Sequence, residues 1–176
     1  MRSGGRLLVV FAALVGLVAC GTGAQATETP SCDTGLRFVT NVTDAAMGLR
    51  VMSVEAVNCG VEPLQLNGYP QVRLFGEERE PLDVEILDGS GGIALLEGFD
   101  DAPQSITVQP GERAKSAFVW RNTHASVDPP QVGKHVDMAA APGGTWQPLV
   151  ATTSEGRILV DLGSTGRLGV RAWYRP

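Results

Sequence analysis

From residue 36 onwards, the chain alternates short hydrophobic runs with turn-forming residues. Runs rich in β-branched side chains and bounded by Gly, Pro, Asn or Asp are typical of β-strands. The pattern predicts strands at residues 36–42, 49–57, 71–75, 82–87, 105–108, 113–120, 135–139, 145–150, 158–162 and 168–173. Many short strands and no convincing amphipathic helix favour an all-β fold, a β-sandwich of antiparallel strands.

Turn chemistry joins two pairs of these predicted strands. The acidic residues 76–81 lie between strands 71–75 and 82–87, and Pro110-Gly111 lies between strands 105–108 and 113–120. Connections of this length and composition favour β-hairpins. Strand 113–120 should have one packed face, because alternate positions along it carry small or aromatic side chains. Strand 49–57 should be partly apolar on both faces.

The first residues are predicted to be a targeting signal. Arg2 and Arg6 give a positively charged start, and residues 7–18 are apolar or small. This order describes a secretory signal peptide over residues 1–19. The apolar stretch is shorter than the roughly 20 residues of a membrane-crossing helix. We therefore expect the domain to lie outside the cytoplasm.

Cys20 follows Leu17-Val18-Ala19, and this tetrapeptide resembles a bacterial lipobox. In lipoproteins of this type the cysteine thiol carries a diacylglycerol with acyl chains such as palmitate, and cleavage makes the cysteine the first residue. Two or three acyl chains anchor a protein durably, whereas one chain does so only marginally. The sequence predicts lipidation of Cys20 and anchoring at the outer face of the cell membrane; the alternative is an ordinary secreted protein.

Two cysteines remain once Cys20 is assigned to lipid. Outside the cytoplasm, Cys32 and Cys59 are expected to form a disulfide. Two buried free thiols, or a two-cysteine metal site, are the alternatives. Residues 20–31 contain hardly any large apolar side chain, which predicts a flexible tether ahead of a domain at residues 32–176.

Charge and composition exclude several partners. The formal net charge is −5, and the leader arginines Arg2 and Arg6 make the remainder more acidic still. An acidic surface repels phosphate backbones, so nucleic acid is not an expected partner. No phosphate loop, zinc-ligand spacing or nucleophile elbow occurs, and no cofactor is expected. The acidic residues 76–85 lack the framework of a calcium loop and indicate a solvated turn.

Three weaker chemical possibilities remain. His124, Ser126 and Asp128 contain the residue types of a hydrolase triad, but they are close neighbours in a connector, which rarely gives catalytic geometry. His135 and Met138 could bind copper, yet residues three apart on a strand point to opposite faces. Trp120, Trp146 and Trp173 could line a glycan-binding face, although core positions are favoured.

The loop 88–103 carries a small apolar patch at residues 93–96 and Phe99, and its length is typical of functional loops.

Residues 58–70 are similar to a known family. The chain resembles the actinobacterial exported family called domain of unknown function 4232 through Leu66-Asn67-Gly68-Tyr69-Pro70, the stretch 108–112, the stretch 120–123 and the stretch 166–170. The resemblance implies an immunoglobulin-like sandwich in secreted proteins and lipoproteins, with no assigned activity. Many members place a cysteine where this chain has Leu64, and a second cysteine pair common in the family is missing.

Together these observations predict a non-enzymatic lipoprotein. We expect a module that binds an envelope protein or glycan, or has a structural role in the envelope. Neither catalytic nor metal-ligating residues are predicted, and the ligand-binding residues are not identified. An extracytoplasmic copper carrier, or an envelope enzyme whose site combines residues far apart in sequence, is the alternative.

Overall fold

The computed structural model describes Met1, residues 35–153 and residues 156–176. This part of the chain forms β-strands and no helix, which confirms the all-β prediction. Within it, no helix is long and apolar enough to cross a membrane. The strands are β1 (Leu36–Ala46), β2 (Leu49–Asn58), β3 (Leu64–Leu66), β4 (Gln71–Phe75), β5 (Glu85–Asp88), β6 (Ile106–Val108), β7 (Arg113–Arg121), β8 (Val132–Gly133), β9 (His135–Ala139), β10 (Gln147–Ala151), β11 (Val160–Asp161) and β12 (Arg167–Val170).

One curled sheet dominates the architecture. Its strand order is β4-β9-β10-β1-β2-β7-β12-β5, and the pairs β3-β6 and β8-β11 form two small separate sheets. The edge strands β4 and β5 follow one another in the chain, so residues 76–84 connect opposite edges and the sheet is nearly closed. The prediction that all strands are antiparallel is wrong at two places, because β1 runs parallel to β10 and β5 runs parallel to β12.

Both predicted turns are present, but the second predicted hairpin is wrong and the first forms only next to its turn, where Phe75 and Pro81 form an antiparallel bridge and Leu82 N donates to Leu74 O at 3.0 Å. After β4 the chain reverses tightly, with Gly76 N donating to Glu80 O at 2.9 Å, but β5 then pairs with β12. Likewise, Glu112 N donates to Gln109 O at 2.9 Å, yet β6 pairs with β3. Turn residues specify a local change of direction, whereas the burial of apolar side chains decides which strand becomes the partner.

The core lies inside the curled sheet. The inner face of β7 is buried along its length at Ala114, Ser116, Phe118 and Trp120, as the alternation predicts. A second apolar cluster lies on the outer face, where Ile93 and Phe99 from the long loop cover Val119 of β7. Val51 of β2 packs against this cluster, so β2 does have two partly apolar faces.

The two ends of the curled sheet differ in which chain segments they carry. β1 begins at Leu36, which pairs with Asn58 at the end of β2; this is the proximal end, where the chain enters the sheet. The opposite, distal end carries the β1–β2 turn at Met47-Gly48 and the end of β7 at Arg121. Since β1 has 11 residues, the ends lie on the order of 35 Å apart, at about 3.3 Å per residue.

Candidate functional site

A cleft of about 480 Å³ opens at the distal end of the curled sheet. Buried side chains of Met52 and Trp120 form its floor. Polar and charged residues form its sides, among them Arg50, Arg157 and Asp161. This volume falls in the range of small-molecule sites, and the open ends of closed sheets are common places for them.

Arg50 occupies an inward-facing position of β2. Side chains alternate along a strand, so Arg50 shares its face with Met52, Val54 and Ala56, which are all buried. A charged residue therefore continues a row of core residues at the point where the sheet opens. Its partner across the ladder in β7 is Trp120, which is also inward-facing. The cleft is thus the place where the apolar interior gives way to a polar lining.

β1 is irregular beside the cleft. Its pairing with β2 shifts between Thr40 and Thr43, which marks a β-bulge. Thr40 O accepts hydrogen bonds from both the backbone N–H and the hydroxyl of Thr152, at 2.8 and 3.1 Å. Bulges bend strands and redirect side chains, and they are common next to functional sites. Here the bulge separates the regular half of β1 from the half that lines the cleft.

Asp161 is held in place from three sides. Trp120 Nε1 donates to its backbone oxygen at 2.9 Å. Asn122 Nδ2 donates to Oδ2 at 2.8 Å, and the backbone N–H of Gly163 donates to Oδ1 at 3.0 Å. Both carboxylate oxygens therefore have a neutral donor. Gly163 suits this close approach because its φ is 56° and a Cβ would overlap the backbone of Thr123.

The two arginines of the cleft have no carboxylate partner within 4.0 Å among the described residues. Arg50 Nη1 donates to Leu49 O at 3.0 Å, and no ion pair includes Arg157. Four other basic side chains of the described residues do have acidic partners; Arg113 Nη1, for instance, lies 2.8 Å from Glu55 Oε2. The cleft consequently has an excess of positive charge on a chain that is acidic overall.

The residue types of a hydrolase triad do not form one here. Ser126 Oγ donates to Asp128 Oδ2 at 2.7 Å, so serine and acid are directly bonded. Within the described residues no hydrogen bond joins His124 to either of them, and all three side chains are exposed. A triad needs the histidine between the nucleophile and the acid.

His135 and Met138 diverge, as the strand geometry predicts. Met138 is fully buried in the core, whereas His135 lies at a second cleft with its Nε2 3.3 Å from Glu77 O. Across the described residues, no group of three or more His, Cys, Asp or Glu side chains is arranged to hold a metal ion. Of the acidic residues in 76–85, Glu77 lies 3.9 Å from Lys134 Nζ and Glu85 lies 2.9 Å from Arg167 Nε.

The three tryptophans have two different roles. Trp120 and Trp173 are buried, which confirms the core interpretation for both. Trp146 is half-buried, and the Arg73 guanidinium lies 3.8 Å from its ring centroid. No shared tryptophan face for a glycan exists, because only one of the three rings reaches the surface.

The predicted anchor and most of the predicted disulfide fall outside the described residues. The structure describes Met1 but none of residues 2–34. The rest of the predicted signal peptide 1–19, the predicted tether 20–31 with Cys20, and Cys32 therefore lie outside the described residues. Cys59 is described, and its backbone N–H donates to Gly35 O at 2.6 Å. Gly35 follows Cys32 by only three positions in the chain.

The Gly68-Tyr69-Pro70 motif has a structural role between β3 and β4. Gly68 has a φ of 77°, and its carbonyl accepts the backbone N–H of Trp173 at 3.0 Å. Burial raises the pKa of the half-buried Tyr69, and the nearby carboxylates of Asp88 and Asp100 raise it further. The phenol therefore stays protonated, and the motif connects the β3–β4 corner to the end of the chain.

The described residues thus form a nearly closed all-β domain with an open distal cleft. The model of the Domain of unknown function (DUF4232) matches residues 32–174. The chain therefore belongs to this family, which confirms the resemblance carried by Leu66 to Pro70 and the later stretches. No curated protein matches the chain.

Proposed function

We propose that this chain is an extracytoplasmic lipoprotein, held at the outer face of the cell membrane by acyl chains on Cys20, and that its β-domain is a non-enzymatic binding module. The leader and the Leu17-Val18-Ala19-Cys20 sequence support the anchor. The observation that carries the binding role is the position of the cleft. It lies at the distal end, whereas the chain enters the sheet at the proximal end.

This geometry suits a tethered receptor. A tether of about a dozen residues lets the proximal end move some 20 Å from the bilayer, taking roughly 5 to 6 Å times the square root of its length. The length of β1 then adds to the reach of the distal end. The cleft thus lies at the end of the domain farther from the tether, where soluble or wall-bound ligands have access to it. We also propose that the sheet is an immunoglobulin-like sandwich in which β10 joins the two layers, since it pairs with both β1 and β9.

The anchor is tested by changing Cys20. Cys20→Ser removes the thiol that accepts lipid, so we expect the protein to move from the membrane fraction to the soluble or precursor fraction, with an unmodified amino terminus in mass spectrometry. Cys59→Ser is the matched control and should leave membrane association unchanged. Wild-type protein with an amino terminus other than a lipidated Cys20 would contradict the proposal.

We further propose a disulfide between Cys32 and Cys59, supported by the hydrogen bond from Cys59 to Gly35. Removing it through Cys32→Ser is expected to lower the free energy of unfolding by about 3 kcal/mol, because closing a loop of this size restricts the unfolded chain. Urea denaturation of the mature protein, with and without reductant, measures the effect. Equal stability in both conditions, together with two alkylatable thiols in the native protein, would show that the cysteines are free.

A further inference from the structure

The positively charged side chains of the distal cleft have no ion-pair partner among the described residues. Arg50 stands where the alternation of β2 calls for a core residue, and among the described residues its guanidinium has one acceptor, Leu49 O. Arg157 lines the same cleft from the segment that follows β10. A guanidinium that is partly removed from water is costly unless hydrogen-bond acceptors surround it. The native fold leaves most of these donors available.

Among the described residues that line the cleft, the one carboxylate is that of Asp161, and it does not neutralise these arginines. Asp161 has Asn122 and Gly163 on its two oxygens, and no ion pair joins it to Arg50 or Arg157. An incoming anion would therefore find the guanidinium groups unoccupied. The planar fork of arginine matches the paired oxygens of carboxylates and phosphates, which it binds through two parallel hydrogen bonds.

We infer that the distal cleft is an oxyanion-binding site in which Arg50 and Arg157 bind the phosphate or carboxylate group of a small ligand or a ligand end group. This inference rests on the proposed binding role and names its ligand chemistry. Arg50 is the fixed donor, since it belongs to a paired strand and is partly buried. Arg157 is exposed on an irregular segment and completes the site from the opposite side.

The remaining lining gives the site its selectivity. Thr43 contributes a hydroxyl, and Leu159 contributes an apolar surface that is about half exposed. An anion attached to an organic residue fits this combination better than a bare ion, because the apolar surface contacts the organic part while the arginines bind the charge. Leu159 and Arg157 also border the neighbouring cleft of about 600 Å³, which offers space for a longer ligand.

The test uses the mature lipoprotein purified in uncharged detergent and labelled with ¹⁵N. Sodium phosphate and sodium acetate are titrated separately at constant ionic strength, with chloride as the balancing anion. The indole N–H of Trp120 reports on the cleft because it donates to the backbone of Asp161. We expect its signal to shift saturably, while the indole signal of Trp146 stays constant. Tighter binding of phosphate or of acetate identifies which oxyanion the ligand carries.

Arginine variants distinguish a specific anion-binding site from a general effect of the protein's net charge. Arg50→Gln and Arg157→Gln should each weaken binding about tenfold or more, which corresponds to the loss of a charge-assisted contact. Arg175→Gln makes the same change of charge at a residue that bonds Thr107 O near the proximal end, and should leave the dissociation constant within about twofold. Arg157→Gln protects the conclusion from a folding defect, since this side chain is exposed.

Two results would overturn the inference. One is the absence of a saturable Trp120 shift with either anion at tens of millimolar. The other is equal weakening by all three arginine variants, which would show that only overall charge matters. Neither result affects the lipid anchor, which detergent phase partitioning of the same sample measures independently. A protein that binds the anion but partitions into water would instead contradict the proposed tethering alone.

Discussion

Replacing Trp173 with alanine is expected to lower the free energy of unfolding by about 3 to 5 kcal/mol, the usual range for a large aromatic residue truncated in a core. Trp173 is almost fully buried near the end of the chain. Its ring stacks on Phe38 of β1, with centroids 6.0 Å apart and planes at 11°. Its Nε1 donates to Ala140 O at 2.8 Å. Truncation removes this apolar volume and leaves the partly buried carbonyl of Ala140 without its donor.

Two variants show whether volume or the hydrogen bond matters more. Trp173→Phe keeps an aromatic ring against Phe38 but loses the indole donor, so a smaller loss of about 1 to 3 kcal/mol is expected. Trp146→Ala is the matched control, since this half-buried ring contacts Arg73 at the surface and should cost less than about 1 kcal/mol. Urea denaturation of the mature protein measures all three. Similar losses for Trp146→Ala and Trp173→Ala would contradict the assigned core position.

Replacing Asn58 with alanine is expected to cost about 4 kcal/mol although it changes little apolar volume. Asn58 is fully buried at the end of β2. Its Nδ2 donates to Glu62 O at 2.8 Å and to Val108 O at 2.9 Å, and its Oδ1 accepts from the backbone of Gly60 at 2.9 Å. Alanine leaves these backbone groups without partners, at roughly 1 to 3 kcal/mol for each buried unsatisfied group.

An isosteric change provides the sharper form of this experiment. Asn58→Asp keeps the shape but replaces the two N–H donors with a carboxylate oxygen facing the carbonyls of Glu62 and Val108. We expect it to be at least as destabilising as alanine, because burial of a charge next to acceptors adds a further penalty. Asn67→Ala, at an exposed position, should change stability by less than about 0.5 kcal/mol. If Asn58→Asp were neutral, the hydrogen bonds of this side chain would be wrongly assigned.

Local patterns in the sequence predict the strands well where the strands are long. β4 and β9 have the predicted bounds, and the buried face of β7 follows its alternation. The strands that no pattern indicated, β3 and β8, have 3 and 2 residues. Runs this short contain no measurable period. Their partners, β6 and β11, are equally short and lie far away in the chain.

The sequence predicts where strands lie better than it predicts which strands pair with each other. The segment after β4 was expected to return beside it, because residues 76–81 form a turn. Instead β5 crosses to the opposite edge and places Ile86 next to Leu168 of β12. Leu168 is fully buried, and Ile86 packs against the same core cluster. Such competition between distant partners does not appear in a local sequence pattern.

The candidate site was missed for a similar reason, although one signal was available. Continuing the alternation Ala56, Val54, Met52 by one step places Arg50 on the inner face of β2, and an arginine there breaks the hydrophobic pattern. Arg157 gives no such signal, because it lies in an irregular segment beyond β10. The long-range pairing of β10 with β1, next to β2, brings the two residues to the same cleft.

Because β1 lies inside the sheet between β10 and β2, its pairing determines when the sheet can be completed during synthesis. Its parallel neighbour is β10, and the hydroxyl of Thr152 bonds Thr40 across 112 positions of the chain. Contacts of such high contact order form slowly and only when both segments are present. The amino-terminal strand therefore stays without one of its neighbours until nearly the whole polypeptide has been synthesised. On the export route proposed above, this delay would keep the chain unfolded during translocation and let the sheet be completed outside the membrane.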